Sequence, residues 1–392
     1  MSEPSLRAIE AAKATIAGVA RRTPMLEAGE ISRRAGAAVT LKAECLQATG
    51  SFKVRGAYNA IAALTEAEVR AGVVAASAGN HAQAVAAAAR EAGARADLFM
   101  PAEAPLAKLA AVRRRAGNVH LVPGPFAAAD EAAHAFASSS GATLVPAFDH
   151  PAVIAGQGTI GLEIADQAPE TNLVLVPVGG GALAAGIAIA VKAKLDGARV
   201  VGVQAQKRAG ATICDGIAVK DPGELTQPLL DRWLDDLVAV SDDEAAEAMV
   251  LLLERSKLVV EGAGAVGVGA LLSGKVKLRA QDEVCAVLSG GNVDATRLTE
   301  CIALGETVAG RRIVVSVVLP DRPGALAGLL RVVADQRANV IEVEHLREGL
   351  DLHVGETGIT LVLQTKGPEH SAELLAAFDA EGFAVPPRTR FS

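Results

Sequence analysis

Aromatic side chains are scarce, making up 3% of the 392 residues, with a single Trp and a single Tyr among them. Few rings are therefore on hand to stack against nucleobases. Positive charge is in deficit too: 38 Lys and Arg stand against 45 Asp and Glu, for a formal net charge of -7. A chain so charged has no basic footprint for a phosphate backbone, and nucleic acid is excluded as an expected partner. Cysteine is confined to Cys45, Cys214, Cys285 and Cys301, which are far apart, form no CxxC pair and sit in or beside apolar runs. They read as reduced, buried thiols. The opening MSEPSLRAIEAAK is polar and then amphipathic, without the apolar centre of a secretory signal, so a cytoplasmic protein is expected. One stretch, Thr171 to Val191, carries no charge and is long enough to span a bilayer. Pro177 and the run Gly179, Gly180, Gly181 divide it into a strand, a turn and a helix, and no membrane segment is expected.

What the chain has in quantity is small aliphatic side chains: 51% of its residues are hydrophobic, mostly Ala, Val and Leu. That composition suits helices packed on buried parallel strands. From about Val39 to Gly290, short β-branched runs alternate with Ala-rich helical stretches, the pattern of parallel strands with helical crossovers. The runs are VTLKAE, GVVAAS, RADLFM, NVHLVPG, TLVPA, NLVLVPV, RVVGVQ, DLVAVS and EVCAVLSG. They are too many for one simple sheet and predict two open sheets of unequal size with a ligand cleft where strands end in loops. After Gly310 the style changes. RRIVVSVVLP, PGALAGLLRVVADQRA, VIEVEHLR, ITLVLQTK, SAELLAAFDAEG and FAVPP follow a β-α-β-β-α-β order. The expected division is an α/β catalytic domain over 1–310, with a smaller subdomain at about 41–144, and a second domain over 311–392.

Four short constellations carry chemistry. Gly50-Ser51-Phe52-Lys53 is a glycine-led turn running into a helix, with a lysine in the first turn. An amine near a positive helix end, and partly desolvated, loses its proton more easily, which suits a Schiff-base lysine. The alternative is a solvated lysine at a helix start. Gly179-Gly180-Gly181-Ala182-Leu183 joins a buried strand to a helix, so its backbone N–H groups and the helix start fit a phosphate. The same run satisfies a loose GxGxxA dinucleotide pattern, which expects an acid at the end of the next strand, where RVVGVQ offers Gln204. It is also compatible with glycines that only permit tight packing. Ser77-Ala78-Gly79-Asn80-His81 ends a strand and opens an Ala-rich helix, giving either a second anion site sized for a carboxylate or a simple N-cap. Ser289-Gly290-Gly291-Asn292 follows an apolar strand; its hydroxyl can bond a ring nitrogen but is far too weak an acid to keep it protonated, and a plain turn is the alternative.

The ordered set LKAECLQATGSFKVRGA, SAGNHAQAVA, AGQGTIGLEI, VGGGALAAG, EGAGA and SGGNVD spans most of residues 20 to 300. In this order the motifs resemble those of the fold-type II (tryptophan synthase β-like) pyridoxal-phosphate enzymes, and within them the threonine dehydratase group. The resemblance implies that Lys53 is joined to pyridoxal 5'-phosphate, with Phe52 beside the cofactor and Asn80 bonding its phenolic oxygen. It implies that Gly179, Gly180, Gly181, Ala182 and Leu183 hold the phosphate, although relatives carry a further glycine where Ala182 stands. Ser289 would meet the ring nitrogen, Glu261 would lie near the ring, and Ser77, Ala78, Gly79, Asn80 and His81 would bind the substrate carboxylate. The implied reaction converts L-threonine to 2-oxobutanoate and ammonia, with L-serine as a second substrate. Serine or 3-hydroxyaspartate as the preferred substrate, a nicotinamide oxidoreductase, and a non-catalytic amino-acid sensor are the alternatives. Serine racemases carry a second serine where Ala78 stands, and a methyl group cannot move a proton, so racemisation is expected to be minor. The stretch AQKRAGAT is shorter than in relatives, and with Gln204, Arg208 and Gly210 where others place carboxylates no metal is expected. The C-terminal segment resembles an ACT domain, with Asp321, Arg322, Pro323, Gly324, Ala325 and Leu326 at the strand-to-helix turn and Asn339 entering the second strand. Such domains pair edge to edge and often bind amino acids at the seam, implying a homodimer or homotetramer with isoleucine or valine as effector; an oligomerisation module with no ligand is the alternative.

Overall fold

Each of the nine β-branched runs becomes a strand in the computed structural model, which describes residues 4–383 apart from 105, 116, 207–211, 220 and 348–351. In chain order these are β2 (Ala38–Lys42), β3 (Val73–Ala76), β4 (Ala96–Pro101), β5 (Asn118–Val122), β6 (Thr143–Leu144), β7 (Leu173–Pro177), β8 (Arg199–Ala205), β9 (Asp236–Val240) and β10 (Glu283–Val287). A short strand β1 (Met25–Glu27) precedes them and pairs antiparallel with β2. The strands form a six-stranded sheet in the order β1-β2-β10-β7-β8-β9 and a four-stranded sheet in the order β5-β4-β3-β6. All pairings other than β1 with β2 are parallel.

Helices cover these sheets, which is why the central strands are buried on both faces: every residue of β3 and of β7 is out of solvent. Alanine supplies the close fit. The helix Asn80–Glu91 buries nearly its whole length, and the helices Pro151–Gln167 and Ala182–Lys194 pack into one core with Val174, Val176 and Val287. The uncharged stretch from Thr171 to Val191 resolves into β7, a glycine turn and the start of the Ala182–Lys194 helix. Among the described residues no helix is long and apolar enough to cross a membrane.

The chain divides into two compact units, residues 1–297 and 298–392. The second unit takes in most of the helix Ala295–Val308, ahead of Gly310 where the sequence changes style. It continues with β11 (Arg312–Pro320), the helix Ala325–Asp335, β12 (Asn339–Leu346), β13 (Glu356–Gln364) and the helix Pro368–Ala380. The antiparallel order is β11-β13-β12. Alternation along β11 buries Ile313, Val315, Val317 and Leu319 against Leu329, Val333, Leu374 and Phe378, while Val314 and Val318 face outward. The strand expected at FAVPP lies, from residue 384 on, outside the described residues.

Candidate active site

Parallel strands bring the expected motifs to one edge of each sheet. β2, β10 and β7 are neighbours, so the segment leading to Lys53, the turn at Ser289 and the glycine run at Gly179 all leave the same end of the larger sheet. Backbone bonds tie the first two together. Ser51 bridges Gly290, Phe52 N donates to Ser289 O at 3.0 Å, and Gly291 N donates to Gly50 O at 2.8 Å.

Lys53 opens the helix Lys53–Ile61 and is partly buried, with Nζ 5.2 Å from the centroid of the Phe52 ring. Nζ donates to Ala147 O at 2.9 Å. Burial disfavours the ammonium and pushes its pKa down to about 8, against the opposing pull of Glu261. Such a lysine is a nucleophile and base near neutral pH.

The glycine run forms a cradle that side chains would fill. A Cβ on Gly179 would stand 2.9 Å from Ile217 Cα, one on Gly180 2.2 Å from the Phe148 ring, and one on Gly181 2.8 Å from Thr226 Cβ. Gly181 also has φ of 92°, and the helix Ala182–Lys194 that follows has no side-chain cap. Its first N–H groups are therefore free for an anion, with Ala182 and Leu183 buried in that first turn. Thr226 Oγ1 closes the cradle from behind, donating to Gly180 O at 2.7 Å.

The second turn expected to take an anion has the same construction. Gly79 precedes the helix Asn80–Glu91, again with no side-chain cap, and Ser77 Oγ accepts from Gly79 N at 3.1 Å instead. His81 is turned inward: Nε2 lies 2.8 Å from Val145 O, and since a carbonyl only accepts, the proton sits on Nε2. Burial, with the charge of Lys53 adding to it, pushes the His81 pKa down to about 3, so the ring is neutral and its contribution to the loop is its backbone N–H. Asn80 Nδ2 donates to Glu261 Oε1 at 2.7 Å, and Glu261 itself is buried before the helix Gly262–Leu272, its N donating to Gly290 O. Ser289 Oγ is buried and, among the described residues, reaches only Ala263 O, at 3.5 Å, so the hydroxyl is loosely held and open to a ring nitrogen. Cradle, amine and hydroxyl together fit pyridoxal phosphate.

Three groups of residues in or under the site have no role in the sequence reading. The segment from Ala147 to His150 accepts from Lys53, packs Phe148 on Gly180, and uses Asp149 Oδ1 to cap the N–H groups of Leu225 and Thr226 at 3.0 and 3.1 Å. Asn292 bonds Asn80 and Thr49. Beneath the lysine helix, Lys42, Glu44, Arg55 and Glu163 form a buried charge network. Of these, only the His150-Pro151 helix start carries a local signal, a proline after a capping residue. Among the described residues no group of three or more His, Cys, Asp or Glu is arranged to hold a metal ion. Gln204 ends near the top of β8, whereas Arg208 and Gly210 lie outside the described residues. In the second unit, Asp321, Pro323 and Gly324 are exposed at the turn, Asn339 is exposed at the start of β12, and Leu326 packs on the core.

Comparison with known proteins bears on the family and the fold. The pyridoxal-phosphate dependent enzyme family matches residues 16–290 and the ACT domain family residues 313–380. An L-threonine ammonia-lyase of Thermotoga maritima is 42% identical over 97% of this chain and 98% of its own. A catabolic L-threonine dehydratase of Escherichia coli strain K12 is 40% identical over 74% of this chain and 93% of its own. Among solved structures, a T.th. threonine deaminase superposes with a TM-score of 0.70 at 38% identity, covering 74% of this chain and 99% of that one. Maize serine racemase gives 0.73 at 33% identity, covering 76% and 97%. The chain therefore belongs to the fold-type II pyridoxal-phosphate dependent enzymes, in their threonine ammonia-lyase group, and carries a C-terminal ACT domain.

Proposed function

We propose that this protein removes water and then ammonia from L-threonine, yielding 2-oxobutanoate, and acts on L-serine more slowly. The observation that carries the reading is one partly buried amine, Lys53, with a pKa of about 8, held on Ala147 O next to the Phe148 that packs on Gly180 and close enough to His81 to act on its charge. The N–H groups from Gly179 to Leu183 would hold the phosphate, and those of Ser77 to His81 would take the substrate carboxylate. Pyridoxal phosphate, when bound, supplies the electron sink for the substrate Cα. Lys53 takes the Cα proton as general base. Ser289 would meet the ring nitrogen as a neutral hydroxyl, too weak an acid to protonate it, which would favour loss of the β-hydroxyl over transamination. Ala78 offers no acid on the opposite face, in keeping with elimination rather than racemisation.

A panel of L-threonine, L-serine and 3-hydroxyaspartate, scored by 2-oxo acid and ammonia release, tests this. The largest kcat/KM is expected for threonine. Release from 3-hydroxyaspartate alone, or reduction of a nicotinamide with no ammonia released, would overturn it.

The second unit supports regulation. β12 is an edge strand among the described residues, bulged between Val340 and Glu342, with Ile341, Val343 and Leu346 exposed. Such an edge seeks a partner strand, and we infer pairing of ACT units in a homodimer or homotetramer with isoleucine or valine at the seam. Threonine saturation curves taken with and without isoleucine or valine should differ in half-saturation. Coincident curves together with no calorimetric heat of binding would remove the effector and leave an assembly module.

A further inference from the structure

Asn292 closes the Ser289 turn, and nothing in the reaction just described uses it. Its Nδ2 donates to Thr49 O at 2.9 Å and to Asn80 Oδ1 at 2.8 Å, while Asn80 Nδ2 donates to Glu261 Oε1 at 2.7 Å. A peptide carbonyl and a carboxylate only accept. The series Thr49, Asn292, Asn80, Glu261 therefore has one direction, and turning either amide over would set oxygen against oxygen at one of its ends. An amide nitrogen has two hydrogens, of which Asn80 spends one on Glu261.

We propose that Asn292 is a positioning residue: by occupying Asn80 Oδ1 it fixes the Asn80 amide so that the second N–H is presented to the phenolic oxygen of the cofactor. This rests on the reading of Asn80 as the partner of that oxygen. Two features of the fold support it. Asn80 heads a helix of the smaller sheet, whereas Thr49, Glu261 and Asn292 belong to segments beside β2, β10 and the helix Gly262–Leu272, so the series spans the cleft. Space for Asn292 is also provided by the lysine turn: Gly50 has φ of 75°, and a Cβ there would lie 2.4 Å from Asn292 Oδ1. The turn that presents Lys53 thereby leaves room for the residue that orients Asn80.

Asn292→Asp is the sharp variant, because it keeps the shape and replaces the donor by an acceptor. Asn80 would then face two carboxylates, the introduced one and that of Glu261, each demanding an N–H, with none left for the cofactor. Full-length apoenzyme reconstituted with pyridoxal phosphate gives the readouts, namely the dissociation constant and the absorption maximum of the bound cofactor followed across pH. Asn80→Ala should weaken binding about tenfold, the loss of one positioned hydrogen bond, and move the band. Asn292→Asp should match it, Asn292→Ala should give about threefold, and N80A/N292D should be no worse than N80A alone. Parent-like affinity and spectrum in N292D beside an altered N80A would overturn the proposal, and so would additive losses in the double variant. An unchanged N80A would instead overturn the reading of Asn80. Unfolding of both Asn292 variants, seen in the thermal midpoint, would assign Asn292 to the fold and likewise overturn it.

Discussion

Lys53→Ala is expected to lower dehydratase turnover by at least about 10³-fold and to abolish the absorbance of lysine-bound cofactor, because the function proposed above makes the same amine the attachment point and the base. The pKa makes the claim sharper than loss of function alone. Burial holds Lys53 near 8, so the neutral, nucleophilic form gains as pH rises through that value. The rate of cofactor attachment to the parent apoenzyme should climb from neutral pH, pass its midpoint at about 8 and level off above that. Glu261 opposes the burial by favouring the ammonium, and Glu261→Gln should therefore move the midpoint to lower pH. Rapid-mixing absorbance across pH measures both. An attachment rate in Glu261→Gln with the parent's midpoint, or one displaced upward, would remove Glu261 from the electrostatics of the site.

Sequence periodicity made the two sheets legible because buried parallel strands are dense in Val and Leu, and each ended in a loop with Gly, Ser or Pro. Only β1, three residues long and antiparallel, escaped, since it is too short to show a period. The two glycine turns proposed as anion sites were legible for a related reason: glycines at strand-to-helix turns are a backbone signal, and backbone N–H groups would do the binding. His81 shows where that signal stops. Its place in the motif is readable, but whether the ring faces ligand or core depends on Val145, 64 positions away. Glycines within helices are equally silent about their neighbours. The AGQGTIGLEI motif owes its spacing to two helix crossings, where a Cβ on Gly156 would stand 2.6 Å from Arg55 O and one on Gly158 2.9 Å from Gly186 O. The contacts of Asn292, Phe148 and Asp149 were illegible because their partners are set by the fold of distant segments and by no local spacing.

Arg55→Ala should lower the thermal midpoint on the order of 10 °C, far more than removal of a charge usually does. In a sequence, the Lys, Glu and Arg of LKAECLQATGSFKVRGA read as surface, yet Lys42, Glu44, Arg55 and Glu163 are at most 7% exposed. Arg55 Nε and Nη2 donate to Glu44 at 2.9 and 2.8 Å, and Nη1 and Nη2 donate to Glu163 at 2.6 and 3.0 Å. Lys42 Nζ completes the set on Glu163 at 2.6 Å, so two cations balance two anions. Burial by itself would raise Glu44, but Arg55, Thr23 and Lys42 hold it below the ordinary carboxylate range. Removing the guanidinium leaves two buried carboxylates to one ammonium, a loss of about 3 to 5 kcal/mol. The effect reaches the site through the helix. Lys53 and Arg55 are two residues apart, roughly 200° around the axis, so the side chain proposed to hold the cofactor points away from the one that is bolted to the core and fixes the rotation of the first turn. Arg55→Lys keeps the charge but has three donors for a network that uses the whole guanidinium, and it should fall between parent and Arg55→Ala in both thermal midpoint and cofactor affinity. The exposed pair Arg70 and Glu66 is the control, because solvent already screens it and Arg70→Ala should leave the midpoint unchanged. If calorimetry finds Arg55→Ala no worse than Arg70→Ala, these four charges are hydrated, and the lysine helix must owe its orientation to packing alone.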